Sequence, residues 1–481
     1  MLTEATIFRG AFWFSLGALF ERVMFLFIPI FIAPLGPSSL GIFHLSLRIF
    51  HGIVHFLSIA INAKYSQELR QYIQDPKSLR FEETAAYLLK ANLLAGLLLG
   101  IFFFILTLAI SPLKSLAFLA LAIPFAVTNY YMMHLLQLLQ RFKKIFSIQT
   151  FLAFGFQLLY MVIFIRFFRL GIAAAFLGQL LMVILIAISA FFFLFDRLNL
   201  LGFFQKINLK MFALSRLSFA NVLFTTVSPV LDLGLVGLLF GFSVLGHYIV
   251  LLYLPLLMHK IPTTLFGMFL HVAAVKTRIN KEDITQISQR VFKWILLVTI
   301  PVFITIMLYP EPILSVLFHK SYVKDLNVIP LFAISFFIQS VSWTAGRILL
   351  AKKETFLYVV SNYIFGFVFV LLAVFLANPF ALFGIGLAFL TSSILDVFVK
   401  YIWVTKKANV SFIGIDHIKI LLAGAIGGLL TYIFSFNNPL LSFPFFLLLY
   451  FAILWVMRVV DQKVLFDLKK MVVKEITIGE F

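Results

Sequence analysis

Residues 42–62 read IFHLSLRIFHGIVHFLSIAIN, and this segment contains the pattern that decides the fold. Its polar side chains other than Ser46 recur at spacings of four, three, four, three and four residues, which places them within about 80° of arc on an α-helix. An Arg side chain at mid-bilayer costs at least about 2.5 kcal/mol, so this face must line protein or water rather than lipid. The residues on the face are His44, Arg48, His51, His55, Ser58 and Asn62.

Composition shows that apolar segments of this kind fill the chain. The 481 residues are 63% hydrophobic and 12% charged, with a mean hydropathy of +1.09, which is typical of a polytopic membrane protein. About fourteen spans are predicted. The first apolar run, residues 11–34, is too long for the core of a signal peptide, so we interpret it as a retained span. The absence of cysteine excludes disulfides and thiolate chemistry.

The formal net charge of +19 is explained by membrane topology. If both termini are cytoplasmic, the inward segments hold 29 of the 38 Lys and Arg residues, and the outward segments hold five. This asymmetry follows the positive-inside rule and predicts a multi-pass protein of the cell (cytoplasmic or inner) membrane. Membrane lipids are therefore the expected surroundings, and nucleic-acid binding is not needed to explain the charge.

Two short segments indicate an internal repeat. Residues 35–43, LGPSSLGIF, follow the first span, and residues 240–248, FGFSVLGHY, follow the seventh. At a constant offset of 205 residues, two Gly, one Ser and one Leu are identical. Six spans per repeat is an even number, so the halves share one orientation and are related by an axis along the membrane normal. The predicted fold is all-α, with two six-helix lobes, residues 1–200 and 201–405, then two peripheral spans and a cytoplasmic tail at 406–481.

Further polar residues are predicted to meet this stripe in one central cavity. Span 7 carries a second polar face, span 8 carries a cation, and span 1 carries an acidic and a basic residue side by side. Because spans 2 and 7–8 occupy corresponding places in the two repeats, we expect spans 1, 2, 7 and 8 to line the cavity. The candidate substrate-binding residues are Glu21, Arg22, Arg48, His51, His55, Asn62, Asn221, Asp232 and Lys260.

The three cations among these residues suit an anionic passenger. Arg22, Arg48 and Lys260 are predicted at staggered depths, and a guanidinium binds phosphate oxygens bidentately, so a diphosphate fits them. A structural interpretation stays open, in which Arg22 pairs with Glu21 or Asp232. Arg48 would then bind helix carbonyls, and Lys260 would extend to the membrane surface.

Chemistry other than binding finds little support in the sequence. His51 and His55 have the spacing of a zinc site, but acidic and thiolate ligands are missing nearby and Arg48 would repel the ion, so no metal is expected. The two histidines are predicted either to take up a proton when the passenger binds or to hydrogen-bond sugar hydroxyls. Asp396 and Lys400 form an i, i+4 pair that we interpret as structural. The outward loops are too short for a catalytic site, so no enzyme activity, catalytic residue or cofactor is predicted.

Several motifs resemble one family of membrane transporters. They are FIAPLGPSSLGIF at residues 31–43, Asp232 followed by FGFSVLGHY at 240–248, LFHKSY at 317–322, RILLA at 347–351 and FGIGLA at 383–388. With these residues the chain resembles the multidrug/oligosaccharidyl-lipid/polysaccharide (MOP) exporter superfamily, in particular its polysaccharide-transporter or lipid-linked oligosaccharide flippase branch. The pattern covers roughly residues 8–405, and His319 departs from it because the family usually has Gly there.

The resemblance implies a function. It implies alternating access and passage of a polyprenyl-diphosphate-linked oligosaccharide from the cytoplasmic to the outer leaflet. Fourteen spans and arginines in the cavity also resemble the lipid II flippases, in which the last two helices help form a groove for the lipid tail. Proton or sodium coupling is expected, and so is a monomer that can associate with polysaccharide-assembly enzymes. The alternative is a cation-coupled multidrug antiporter of the same superfamily, whose cavity should be acidic and aromatic.

Overall fold

The computed structural model describes most of the chain and shows it to be helical. The described residues are 17, 20, 27–62, 79–109, 116–139, 141–148, 155–195, 198–199, 201–205, 216–276, 281–318, 322–352, 354–434 and 439–459. Within these ranges no strand occurs. The prediction of an all-α polytopic membrane protein is confirmed.

The helices follow one another with short connections. In the first half they are α1 (Pro37–Asn62), α2 (Leu79–Ala109), α3 (Ala117–Leu138), α4 (Phe142–Ser147), α5 (Phe156–Val162), α6 (Ile172–Leu194) and α7 (Leu201–Phe204). In the second half they are α8 (Arg216–Lys276), α9 (Lys281–Leu308), α10 (Pro310–Leu317), α11 (Ile329–Ala351), α12 (Thr355–Lys406), α13 (Ile415–Ile433) and α14 (Pro439–Val456).

Two of these helices are hairpins. α8 has 61 residues and α12 has 52, and at about 1.5 Å per residue each would be far longer than the roughly 30 Å hydrocarbon core. Each is broken at one residue with positive φ, Gly241 at 82° and Ala381 at 48°. In α8 the reversal brings the Tyr248 hydroxyl within 3.4 Å of the Asp232 carboxylate. We name the halves α8a (216–240), α8b (242–276), α12a (355–380) and α12b (382–406).

Thirteen of the fourteen predicted spans fall within the described ranges. Nine helical stretches there are long and apolar enough to cross a membrane, two of them are the hairpins, and residues 156–167 and 441–456 form two shorter apolar helices. Span 1 is represented mainly by its end, where residues 27–32 are helical.

The N-terminal ends of α1 and α8b meet in a contact that follows the repeat. A Cβ on Gly41 would lie 2.3 Å from the carbonyl oxygen of Phe242, and a Cβ on Gly246 would lie 2.1 Å from that of Pro37. Only glycine permits so close an approach. Adding 205 to the numbers of Gly41 and Pro37 gives Gly246 and Phe242. The Gly41–Phe242 approach and the Gly246–Pro37 approach therefore involve equivalent positions of the two repeats, as expected for repeats related by a two-fold axis.

By their contacts the described residues form two compact units, the first ending at Val250 and the second starting at Leu251. In the first unit, polar pairs join helices: the Asn62 and Asn92 amides exchange hydrogen bonds of 3.2 and 3.0 Å between α1 and α2. In the second unit, α9, α11, α13 and α14 share one apolar core. These units are defined by contacts between residues, whereas the predicted lobes are defined by the sequence repeat. The division at residue 250 therefore does not test the lobes 1–200 and 201–405, which stay a prediction.

Candidate substrate-binding site

The polar stripe of α1 passes from a partly open to a closed environment. His44, Arg48 and His55 are half-buried, His51 is exposed, and Ser58 and Asn62 are buried. The stripe therefore does not present one uniform surface. Its first part is accessible, whereas its last part packs inside the first unit.

Arg48 lies about 16 Å along the axis of α1 from Pro37 and faces an acidic residue of α8a. Its positive charge attracts the Asp232 carboxylate and also acts on His44. Asp232 Oδ2 accepts a long hydrogen bond of 3.4 Å from the Tyr248 hydroxyl. The structure thus places the predicted residues Arg48 and Asp232 near enough for their charges to interact.

Tyr248 is the residue of this cluster that the sequence reasoning missed as a site residue. Its side chain is fully buried, and its hydroxyl points back across the α8 hairpin to Asp232. The repeat contained a signal, because Tyr248 aligns with Phe43 and differs from it by one hydroxyl. A hydroxyl added at a buried position needs a polar partner.

Three further buried polar atoms on α1 and α8a have no hydrogen-bond partner among the described residues. They are Nε2 of His44 on α1, and Oδ1 of Asn221 and Oγ1 of Thr226 on α8a. A buried polar atom left unpaired costs free energy unless water or a ligand supplies the missing bond. Asn221 lies eleven residues before Asp232, or about 16 Å along α8a, so unsatisfied polar groups extend along this helix.

Asn62 and the two histidines are placed differently from Arg48. The Asn62 amide donates to the Ser58 carbonyl at 2.7 Å and to Asn92 at 3.2 Å, so it is committed to packing between α1 and α2. His55 has its ring in edge contact with Tyr130, with 5.5 Å between ring centroids. His51 is exposed one turn earlier. The structure does not bring these side chains into the Arg48–Asp232 cluster.

Lys260 lies in the second unit, on the helix α8b, which also contributes lining residues to an apolar cavity. The cavity has a volume of about 290 Å³, and residues of α8b, α9, α10 and α14 line it. On α8b the lining residues are Leu254, Leu257, Met258, Ile261 and Pro262. The half-buried Lys260 stands at the edge of this face, about 60° around the helix from Leu257. The predicted site residues Glu21 and Arg22 lie outside the described residues.

Comparison with known proteins relates the fold to one superfamily, although no family model and no curated protein sequence matches the chain. The lipid II flippase MurJ in an inward closed conformation is similar, with a TM-score of 0.65 and 16% identity over 92% of this chain and 98% of that one. An inward-facing multidrug-resistance transporter of the MATE family gives a TM-score of 0.64 and 14% identity over 83% and 97% of the two chains. The chain has the MOP fold.

A third solved structure with the MOP fold draws attention to the polarity of the binding pocket. It is a MOP superfamily transporter from Pyrococcus furiosus, whose binding pocket is described as having reverse polarity that suggests a different function. Its TM-score is 0.60, with 13% identity over 84% of this chain and 97% of that one. Identities this low establish the fold, and the passenger has to be argued from this chain's own residues.

Proposed function

We propose that the protein is a flippase that moves a polyprenyl-diphosphate-linked oligosaccharide from the cytoplasmic to the outer leaflet by alternating access. In this proposal both termini are cytoplasmic, and Arg48 binds the diphosphate together with Arg22 and Lys260. The MOP fold supports transport as the activity. The surroundings of Lys260 support a lipid as the passenger.

The observation that carries the proposal is that α8b contributes apolar residues to a cavity and carries a cation, Lys260, about 60° around the helix from the nearest lining residue. A lipid diphosphate has an anionic group joined directly to a long hydrocarbon chain, so its site must offer both kinds of surface next to each other. Lys260 and the lining residues Leu257 and Ile261 lie on neighbouring faces of α8b. Phe443 of α14 contributes to the same cavity. A positive charge here favours a lipid phosphate over the organic cation that the antiporter alternative would carry.

The extent of the two structural similarities also supports the flippase. The similarity to MurJ covers 92% of this chain and that to the MATE transporter 83%, a difference of 9% of 481 residues, or about 43. This is close to the combined length of α13 and α14, which have 19 and 18 residues. α14 is also the helix that contributes Phe443 to the apolar cavity.

Within the first unit, we propose that Arg48 and Asp232 form an exchangeable anion site for the diphosphate. Asp232 balances the guanidinium when the site is empty. A diphosphate carries more negative charge and can form bidentate hydrogen bonds, so it can replace the carboxylate. Because Asp232 keeps a hydrogen bond from Tyr248 at only 3.4 Å, its movement breaks no short hydrogen bond to that side chain. Proton or sodium coupling would then return the empty carrier.

The proposal is tested by measuring flipping of a fluorescent polyprenyl-diphosphate-linked disaccharide in proteoliposomes. Replacement Arg48→Ala should reduce the rate at least about 100-fold, since it removes a charge-assisted bidentate contact. Arg166→Ala is the matched control, because Arg166 is exposed in the short helical segment Ile163–Phe167 that follows α5, outside the proposed site. Uptake of ethidium without lipid flipping would support the antiporter instead, and full flipping by Arg48→Ala would contradict the diphosphate site.

A further inference from the structure

The second unit contains an ion pair that the proposed transport site does not use. Asp396 and Lys400 lie one turn apart on α12b, with Lys400 Nζ 2.8 Å from Asp396 Oδ2. Their side chains are only 7% and 6% exposed. Lys400 therefore lies inside the helix packing, although its sequence position suggested a place on the cytoplasmic side. A charge pair this well buried is expensive unless its hydrogen bonds are complete.

Every donor of the Lys400 ammonium group is used. Besides Asp396, the group donates to Ser342 Oγ of α11 at 3.0 Å and to Asn362 Oδ1 of α12a at 2.9 Å. The Ser342 hydroxyl donates in turn to Asp396 Oδ2. The ring of Tyr358 stands 5.7 Å from the nitrogen on another side. An ammonium nitrogen is thus enclosed by three oxygen atoms and one aromatic ring.

The oxygen atoms of this enclosure have the chemistry of a cation site. Carboxylate, amide and hydroxyl oxygens are the ligands that hard cations bind in proteins. The second carboxylate oxygen, Asp396 Oδ1, is buried and has no hydrogen-bond donor among the described residues. With the ammonium removed, the cluster would offer four convergent oxygens, two of them from one carboxylate.

Among the described residues of the neighbouring helices α9 and α11, the nearby cations are otherwise engaged or exposed. On α11, Arg347 is exposed and its guanidinium stacks 5.0 Å over the ring of Trp343. On α9, Lys293 is already paired with Asp416 at 2.7 Å. Asp396 is the only acidic residue of α11 and α12. The balance of its negative charge in this part of the unit therefore depends on Lys400.

We propose that Lys400 is the permanent, covalently attached occupant of a monovalent-cation site formed by Asp396, Asn362 and Ser342. The site therefore takes no Na⁺ or K⁺ from solution. Because the ammonium is part of the chain, its binding costs none of the translational freedom that a free ion would lose. The ion site goes beyond the proposed flippase activity and would hold for any passenger.

The test compares two replacements that differ only in the space they leave. Lys400→Ala removes the ammonium and opens room for an ion, whereas Lys400→Met fills the space with an apolar chain of similar length. Thermal unfolding of the purified full-length protein is recorded in chloride salts of N-methyl-D-glucamine, sodium, potassium and methylammonium at equal ionic strength. Lys293→Ala is the control, since it breaks a more exposed pair in the same unit.

The wild type should unfold at the same temperature in all four salts. Lys400→Ala should lose about 5 °C or more in N-methyl-D-glucamine and recover at least half of that loss in sodium or methylammonium. Lys400→Met should be destabilised equally in every salt, and Lys293→Ala should show no preference among them. Recovery by methylammonium would identify an ammonium group as the missing occupant.

Two results would overturn the proposal. One is a Lys400→Ala protein that unfolds at the same temperature in all four salts, or that cannot be obtained folded even from membranes prepared in sodium or methylammonium. The other is a sodium-dependent unfolding temperature of the wild type that disappears in Asp396→Asn, because it would place a free ion beside this carboxylate. These measurements need no transport, so their outcome is separate from that of the flippase proposal.

Discussion

Two pairs of opposite charges among the described residues differ in how completely they are enclosed. Arg48 and Asp232 join α1 to α8a, both are half-buried, and Asp232 is held by Tyr248 only through a 3.4 Å hydrogen bond. Asp396 and Lys400 are almost fully buried, and all three ammonium donors are used within 3.0 Å. A loosely held, accessible pair can exchange its counter-ion for a ligand, whereas an enclosed pair mainly holds helices together. Burial and hydrogen-bond completeness, rather than charge, distinguish a transport site from a structural one.

The largest effect is expected when the contact between the N-terminal ends of α1 and α8b is prevented from opening. Gly41 and Gly246 hold these helix ends together, and Ser38 and Ser243 lie beside them at repeat-related positions. A disulfide between Ser38→Cys and Ser243→Cys should stop flipping completely, because alternating access requires the ends to separate. Flipping is measured before and after oxidation and again after reduction.

The chain has no native cysteine, so each single-cysteine variant is a clean control and should keep its activity under oxidation. A crosslinked protein that still flips lipid would contradict the separation of these helix ends. It would also mean that the diphosphate can reach and leave Arg48 without the separation of these helix ends.

The second prediction compares the two acids directly. Asp396→Asn leaves the Lys400 ammonium buried without its counter-ion and should cost about 3 kcal/mol of stability or more, as breaking buried pairs does. Asp232→Asn should cost less than about 1 kcal/mol, because its pair is only half-buried. Thermal unfolding of both variants in the same detergent gives the comparison. Equal losses would mean that the Arg48–Asp232 pair is also structural.

Much of this arrangement could be predicted from the sequence. Apolar runs predicted the helical spans, whereas the orientation that the charge asymmetry predicts stays a prediction. The 205-residue offset singled out Gly41 and Gly246, which do meet in the structure. Periodicity placed Arg48 and Asp232 on polar faces of helices that were expected to share a cavity. The i, i+4 spacing of Asp396 and Lys400 also suggested their pairing.

Other parts could not be predicted, for identifiable reasons. Ser342 and Asn362 reach Lys400 from other helices, and periodicity within one helix does not fix the register between helices. Asn62 lies two heptads after Arg48, and a straight helix drifts about 20° per heptad from a seven-residue repeat. A drift of about 40° by Asn62 carries the end of the stripe away from the face of Arg48, toward Asn92 on α2.

The third prediction tests whether the exchangeable pair recognises geometry as well as charge. Arg48→Lys keeps the positive charge near Asp232 but loses the planar pair of donors that fits phosphate oxygens. We expect flipping to fall about 10-fold, less than for Arg48→Ala. Because charge balance is preserved, the unfolding temperature should change little. A Lys variant as inactive as the Ala variant would mean that geometry alone decides, and full activity would mean that charge alone decides.

The smallest effect is expected from His51 and His55, which follow Arg48 by three and seven residues on α1. A bound diphosphate near His51 and His55 favours their protonated form, which would partly neutralise the passenger. Flipping by the wild type should then rise a few-fold as the pH is lowered from 8 to 5.5. The double replacement His51→Gln and His55→Gln should abolish this rise. Rates in proteoliposomes between pH 5.5 and 8 provide the measurement, with both compartments at the same pH.

The single variants separate the proton role from the alternative role in sugar binding. His55 contacts the Tyr130 ring, whereas His51 is exposed, so His55→Gln alone should also disturb packing. If the histidines only hydrogen-bond sugar hydroxyls, the double variant should need more lipid for half-maximal flipping at every pH and keep the pH dependence of the wild type. Such a result would confine proton uptake to another group. Asp232 would be the first to examine, because a carboxylate displaced from Arg48 by the diphosphate can accept a proton once it has lost its counter-ion.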